Sequence, residues 1–458
     1  MYTINKDKVR LQMKKAGITT QTELAEKMNI SKNQLSILLS PKFDPIKSNA
    51  RKLCDILDIP IDDILIKEQL EMYFANDSID IDEADEPIYS HFSDNIDDYI
   101  EVRNVIPSKT YNVVELFAGA GGLALGLEKA GFDTLGLVEY DKFACQTLRK
   151  NRKKWNVIEN DVIKVAEEGI RKFIPETEEI DLLSGGYPCQ AFSYAGKKMG
   201  LDDVRGTMFY YYAKILEELK PKMFLAENVR GLINHDGGKT LQSMLDVFAS
   251  IGYEVRWKLL KALDYDVAQK RERIVIIGVR KDLADYTEIK FPKPFGYNLT
   301  LKDVLKDVPA SEGAKYPESK RKILDLVPAG GYWRDLPEDI AKSYMGKSYY
   351  SGGGRTGMAR RLSWDEPSLT LTCSPAQKQT ERCHPDETRP FTLREYARIQ
   401  SFPDDWKFDC SLSNAYKQIG NAVPVNMAKA IGLAITNSLN EISLELSNRG
   451  ASKELVTK

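Results

Sequence analysis

The spacing of apolar residues changes along the chain. In TELAEKMNISKNQLSILLS, Leu24, Met28 and Ile30 and then Leu35, Leu38 and Leu39 recur at helical intervals. The segment therefore reads as helix, short turn, helix. Ile30 and Ser31 mark the break, and Ser31 can cap the second helix. A third helix is expected at about 49–57, and beyond Pro60 the run IDDIL opens a last short one. Between Tyr111 and about Lys281 the period changes. VVELF, TLGLVEY, EIDLLSGG, MFLAENV and RIVIIGV read as short buried strands with helical segments between them. That alternation predicts an α/β fold built on a doubly wound parallel sheet. Residues 282 to about 355 are irregular and rich in Pro, Gly and Lys, as a second, smaller domain or a large insertion would be. From Arg361 strand and helix signals return and end in a helix at about 424–438, and the tail ELSNRGASKELVTK is expected to fray.

Charge sharpens the division. The net charge of −2 hides an asymmetry: residues 1–67 carry 12 Lys and Arg against 8 Asp and Glu, whereas 68–101 carry 12 acidic residues and no Lys or Arg. The run DSIDIDEADEP is poor in large apolar residues and reads as a solvated spacer. The expected organisation is an all-α unit at 1–67, an acidic linker at 68–108, an α/β domain at 109–281, a smaller region at 282–410 that returns to the main domain from about 361, and a closing helical segment at 411–440. The basic first segment resembles the helix-turn-helix domains of phage-repressor-like regulators. That resemblance places Lys32, Asn33 and Gln34 of its second helix against a major groove. A small helical bundle for protein contacts is the alternative.

Composition excludes other classes. Hydrophobic residues make up 42% and charged residues 29% of the chain, the profile of a globular protein. No stretch approaches the roughly 20 apolar residues of a membrane span, and MYTINKDKVR has no apolar signal core. A cytoplasmic protein with no membrane partner is expected. The six cysteines are scattered and form no C-x-x-C pair, so neither a disulfide framework nor a metal site is expected. Each is core filler or a reactive thiol.

Five short blocks carry the candidate chemistry. In Val113-Val-Glu-Leu-Phe-Ala-Gly-Ala-Gly-Gly122 a strand empties into a turn where Gly119, Gly121 and Gly122 let backbone approach a ligand. Glu139, about 20 residues on, can hydrogen-bond ribose hydroxyls, and Asp161 is placed to meet an adenine edge. A dinucleotide phosphate site is the competing reading, but position 124 is Ala124, so that fingerprint is incomplete. Gly185-Gly-Tyr-Pro-Cys-Gln190, with Phe192-Ser193 after it, puts Cys189 in a loop at a strand's C-terminal end, stiffened by Pro188. Open α/β sheets bind ligands at that edge. Glu227-Asn-Val229 closes another strand. In Gln269-Lys-Arg-Glu-Arg273 the alternating Gln269, Arg271 and Arg273 point to one face if the segment is extended. The last block is Gln418-Ile-Gly-Asn-Ala-Val-Pro424. Taken singly, each has an ordinary structural explanation.

Together and in this order, the five blocks resemble the DNA cytosine-5 methyltransferases of bacterial type, over residues 111–281 and about 361–436. The resemblance implies a Rossmann-like domain that binds S-adenosyl-L-methionine through Phe117, Ala118, Gly119, Gly121, Gly122, Glu139, Asp161, Pro188, Asn421 and Val423. It implies Cys189 as nucleophile and Glu227 as the acid contacting the base, with Arg271 and Arg273 bracing the loop and the target cytosine. Gln190 and Ser193 would touch DNA. The one departure noted is Tyr187, where Phe is commoner. Target recognition falls at 282–410, where GKSYYSGGGRTGMARRLSWDEPSLTLT mixes Lys, Arg, Tyr and Gly suited to phosphate and base contacts. That region looks most like relatives reading GGNCC or GGWCC sites. The implied partners are double-stranded DNA, promoter DNA for the first segment, and a restriction endonuclease linked genetically rather than bound. An RNA methyltransferase and a DNA-binding regulator with an inactive enzymatic domain are the competing functions.

Overall fold

The computed structural model divides the chain into two units, residues 1–73 and 74–458. It describes residues 2–4, 9, 13, 15, 16, 18, 20–28, 35 and 65–67 of the first, and 96–177, 179–188, 204, 207–350 and 355–456 of the second.

In the first unit a helix spans Gln21–Lys27, and Thr20 caps it by accepting the Glu23 N–H at 3.1 Å. It buries Leu24 and Ala25, as the apolar spacing predicts. Leu65–Lys67 forms a strand antiparallel to Tyr2–Ile4. That corrects the helix expected to open at IDDIL as far as Leu65: pairing with a distant strand overrides the local signal. Lys32, Asn33 and Gln34 and the third expected helix lie outside the described residues.

The second unit is built on seven strands: β1 (Tyr111–Leu116), β2 (Phe132–Glu139), β3 (Val157–Glu159), β4 (Leu182–Gly185), β5 (Met223–Val229), β6 (Tyr253–Lys261) and β7 (Glu272–Arg280). Their order is β3-β2-β1-β4-β5-β7-β6. The first five are parallel, and β7 lies antiparallel between β5 and β6. The expectation that RIVIIGV continues a parallel sheet is thus corrected. A strand buried on both faces has the same apolar run in either direction. β6 was not among the expected strands, because Glu254, Arg256 and Lys258 interrupt its apolar residues.

Helices cover both faces. They are α1 (Gly122–Lys129), α2 (Lys142–Asn151), α3 (Val162–Glu168), α4 (Met208–Leu219), α5 (Lys239–Ser250), α6 (Leu393–Ile399), α7 (Leu412–Asn421) and α8 (Val425–Val456). One core joins the sheet to Val165, Tyr212 and Phe248 of α3, α4 and α5. The opposite core joins it to Leu127 of α1 and to Met427 and Ile431 of α8. A third gathers Ala120 and Leu148 with Leu301, Leu371, Tyr396 and Trp406. Tyr316, Leu324, Trp333, Tyr344, Met358 and Cys383 form a separate small core.

Several segments extend beyond their expected roles. Tyr99–Ile100, within the segment read as linker, pairs in parallel with Phe291–Pro292, and Val102 is fully buried. Helix α8 runs well past the expected end at about 438, through most of the tail expected to fray. Leu439 and Ile442 are buried and anchor that extension. Among the described residues no helix is long and apolar enough to cross a membrane.

Candidate active site

The turn after β1 is shaped by backbone conformation. Phe117, Gly119 and Gly121 have φ of 58°, 54° and 82°, in the left-handed region that glycine tolerates best. A Cβ on Gly121 would lie 2.7 Å from Leu148 Cδ2, and one on Gly122 would run into the Val423 carbonyl. Among the described residues, a Cβ on Gly119 would meet nothing within 4 Å. The end of β2 closes on the same turn. Glu139 Oε2 accepts the Gly119 N–H at 2.7 Å, and Oε1 accepts those of Tyr140 and Asp141 at 2.9 and 2.7 Å. Burial pushes the Glu139 carboxyl up from its ordinary pKa, and these three N–H groups pull it back. Asp161 caps α3, with Oδ1 accepting the Ile163 N–H at 2.9 Å. Tyr140, which the sequence reading passed over, is 62% exposed beside Glu139. Its signal was position alone: an aromatic residue directly after the acidic end of a strand.

Strand β4 ends one strand away, with Gly185 in register with Leu116. A Cβ at Gly185 would lie 2.6 Å from the Leu116 carbonyl oxygen, and one at Gly186 would lie 2.6 Å from Glu227 Oε2. Tyr187 is buried against Phe209 and Tyr212, and its carbonyl accepts Asn228 Nδ2 at 3.0 Å. These contacts fix the loop as far as half-buried Pro188. Cys189, Gln190 and Ser193 lie outside the described residues. Glu227, on β5, is buried, and Arg273 Nε from β7 reaches its Oε1 at 2.7 Å.

Gln269, Arg271 and Arg273 are all buried, Glu272 is half-buried and Lys270 is exposed. The two arginines diverge in their contacts. Arg273 meets Glu227, whereas Arg271 donates to the carbonyls of Leu371 and Gly420 at 3.3 and 3.1 Å. Gln269 Nε2 donates to Gln400 Oε1 at 2.8 Å, and Gln400 Nε2 donates to the Ile419 and Ala422 carbonyls at 2.8 and 3.2 Å. This chain of amides brings the QKRER block to the GNAVP block. Asn421 Oδ1 accepts the Cys373 S–H at 2.9 Å, while Val423 backs Gly122.

The model of the C-5 cytosine-specific DNA methylases matches residues 111–437, from the first strand of this sheet into α8. The chain belongs to that family. It is therefore a DNA (cytosine-5) methyltransferase. It is 57% identical to the type II methyltransferase M.Sau96I of Staphylococcus aureus, over 96% of this chain and 100% of that one. It is 58% identical to M.Eco47II of Escherichia coli, over 74% and 82%. A solved structure of an Escherichia coli prophage-encoded DNA modification methyltransferase shares 27% identity, with TM-score 0.51 over 72% of this chain and 99% of that one. Residues 8–69 match the Cro/C1-type helix-turn-helix DNA-binding domain, so this cytosine methylase carries a second DNA-binding element. The methylase match spans all five blocks, which the fold collects from strands and helices far apart in the chain.

Proposed function

We propose that this methyltransferase transfers the methyl group of S-adenosyl-L-methionine to C5 of a cytosine flipped out of duplex DNA, as the modification enzyme of a type II restriction–modification system. One juxtaposition carries the reading. The glycine turn and the loop leading to Cys189 leave adjacent parallel strands at one edge of the sheet, with the Glu227–Arg273 pair against that loop.

The chain fits the methyl donor. No described residue would lie within 4 Å of a Cβ on Gly119, and Glu139 Oε2 accepts one N–H there and keeps lone-pair capacity for a ribose hydroxyl. Asp161 would meet the adenine edge, and exposed Tyr140 would cover the adenine face. Phe117, Ala118, Gly121, Gly122, Pro188, Asn421 and Val423 would complete the pocket. S-adenosyl-L-methionine supplies an electrophilic methyl group.

The remaining chemistry belongs to the side chains. C5 of cytosine is a weak nucleophile, and addition of the Cys189 thiolate to C6 gives it enamine character. That addition moves negative charge to N3 and O2. Glu227, if protonated at that moment, can hydrogen-bond or protonate N3. Arg273 stabilises charge at O2, and Arg271 holds the backbone behind the site. After methylation the C5 proton leaves and Cys189 is eliminated. Unstacking the base costs a few kcal/mol. Contacts from 282–410, with Gln190 and Ser193, would repay that cost at a GGNCC- or GGWCC-like site.

Duplex DNA carrying 5-fluorocytosine should become covalently attached to the protein when the donor is present, and Cys189→Ala should lose both the adduct and turnover. Turnover by that variant would contradict the mechanism. Methyl incorporation into duplex DNA against tRNA separates this reading from an RNA methyltransferase.

The helix-turn-helix match over residues 8–69 favours a second role, repression of the enzyme's own or a partner nuclease's promoter. The full chain should shift its upstream DNA more strongly than random DNA. Replacing Lys32, Asn33 and Gln34 with alanine should abolish the difference and leave methylation intact.

A further inference from the structure

The 282–410 region encloses a carboxylate that the chemistry above does not use. Glu381 is fully buried, and both of its oxygens are engaged. Tyr344 donates its hydroxyl to Oε1 and Oε2 at 2.8 Å each, the Ala359 N–H donates to Oε2 at 2.5 Å, and Lys320 Nζ forms an ion pair with Oε1. Burial raises the pKa of this carboxyl, and the Lys320 charge and the hydrogen bonds pull it back. A carboxylate in such a place is tolerated only when paired and hydrogen-bonded. Tyr344 belongs to the helix Glu338–Met345 and Lys320 to the helix Glu318–Leu324. One side chain thus ties two helices to the backbone at Ala359.

The segment around Ala359 is framed on both sides. The Gly357 and Arg360 carbonyls accept the N–H groups of Glu381 and Cys383 at 2.9 and 3.0 Å. The Met358 carbonyl accepts the Trp333 N–H, and the Arg361 N–H donates to the Gly331 carbonyl, each at 3.1 Å. Within this frame Arg355 and Ala359 have φ of 43° and 47°, in the left-handed region that a residue with a Cβ occupies only at a cost. The buried carboxylate takes the N–H of the second of these residues. Arginines flank the turn. Arg361 is spent inside the region, where it donates to the Leu324, Val327 and His384 carbonyls. Arg355 is exposed, and half-buried Arg360 has an Nε with no hydrogen-bond partner among the described residues. Guanidinium groups suit guanine edges and phosphates.

We propose that Glu381 is a positioning residue for target-site recognition: its buried carboxylate holds the left-handed turn at Ala359 and so sets Arg355 and Arg360 against the DNA. The inference rests on reading 282–410 as the region that contacts the target site. The arginines would do the touching, and Glu381 acts through the backbone between them. Tyr344, Met358, Ala359 and Cys383 belong to a small core separate from the one behind the glycine turn. A disturbance at Glu381 should therefore reach DNA recognition and spare the methyl-donor site.

Methylation of unmethylated plasmid DNA by the full chain tests this, read by bisulfite sequencing so that the site needs no prior assignment. In Glu381→Gln an amide of the same size offers one oxygen and one NH2 group to three donors, so the turn loses its fixed acceptor. This variant should raise KM for the plasmid about tenfold and methylate cytosines that wild type leaves untouched. Its kcat at saturating DNA and its affinity for S-adenosyl-L-methionine should stay within about threefold of wild type. Arg355→Ala combined with Arg360→Ala should give the same pattern. A wild-type KM and methylation pattern in either protein would overturn the proposal. So would parallel losses of donor affinity and kcat in Glu381→Gln, the mark of a merely structural role. If Glu381→Gln does not fold, Tyr344→Phe decides, because it removes one donor and keeps the carboxylate. A several-fold rise in its KM for DNA supports the proposal, and a wild-type KM overturns it. If wild type methylates no plasmid cytosine, the proposed activity falls and this inference with it.

Discussion

Arg273 and Glu227 form an ion pair of 2.7 Å between antiparallel neighbours β7 and β5, with side chains 2% and 11% exposed. Arg273 is registered opposite Val229, so it reaches diagonally to a carboxylate two residues away. Removing one partner strands a charge in a place water hardly reaches. Arg273→Ala should cost about 3 kcal/mol of stability in urea denaturation and lower methylation about 100-fold. Removing Glu227 as well should restore part of the stability but none of the activity. A double variant whose loss equals the sum of the two single losses would show that the pair is not coupled.

Gly186 should be intolerant of a methyl group for a reason confined to chemistry. The added Cβ would lie 2.6 Å from Glu227 Oε2, the far end of a side chain, so the carboxylate would move rather than the backbone. Gly186→Ala should fold normally, keep its affinity for the methyl donor and lose about 10- to 100-fold in kcat, as expected for a misplaced catalytic group. Gly122→Ala presses on the Val423 backbone instead and should lose stability and donor binding together. Unaltered kcat in Gly186→Ala would show that Glu227 can shift without consequence.

His384 sets a pH limit on stability. Its Nδ1 accepts the N–H groups of Asp386 and Glu387 at 3.3 and 3.1 Å, which requires an unprotonated nitrogen. Burial lowers its pKa below the ordinary 6.5, aided by the Arg389 charge, while Glu395, Glu387 and Asp386 act in the opposite direction. In the unfolded chain the imidazole takes up a proton near its ordinary pKa, and in the folded chain it does so only at lower pH. Its contribution is therefore present above about pH 6.5 and is lost as pH falls through the folded value. Melting temperature should drop from about pH 7.5 to pH 5.5, and His384→Asn, whose Oδ1 can accept one of the N–H groups, should flatten that drop. Parallel curves for the two proteins would assign the effect to other groups.

What was legible in the sequence follows from which forces are local. The buried strands and the glycine turn declare themselves through apolar runs and adjacent glycines, and Glu139 through its distance from that turn. The direction of β7 was hidden because a strand covered on both faces carries no record of its neighbours' orientation. β6 was hidden by Glu254, Arg256 and Lys258, and the strand at Leu65 by a partner at the opposite end of its unit. Tyr140 went unread because exposure of an aromatic residue is a property of the fold.

The contact between Gln269 and Gln400 was not legible either, since 131 positions separate them. Both side chains are fully buried, and each amide is used from both ends. Gln269 Oε1 accepts the Leu371 N–H at 2.9 Å while its Nε2 donates to Gln400 Oε1, whose own Nε2 donates to the Ile419 and Ala422 carbonyls. Cutting the chain at one residue leaves buried donors and acceptors unmet, at about 1–3 kcal/mol each. Gln400→Leu and Gln269→Leu should therefore each destabilise the protein, while the double variant, in which both facing amides are gone, should be less unstable than the two losses combined. Because this bridge joins the segment carrying Arg271 and Arg273 to the block carrying Asn421 and Val423, both single variants should also raise KM for donor and DNA together. Strict additivity in equilibrium unfolding would mean that the two amides act independently.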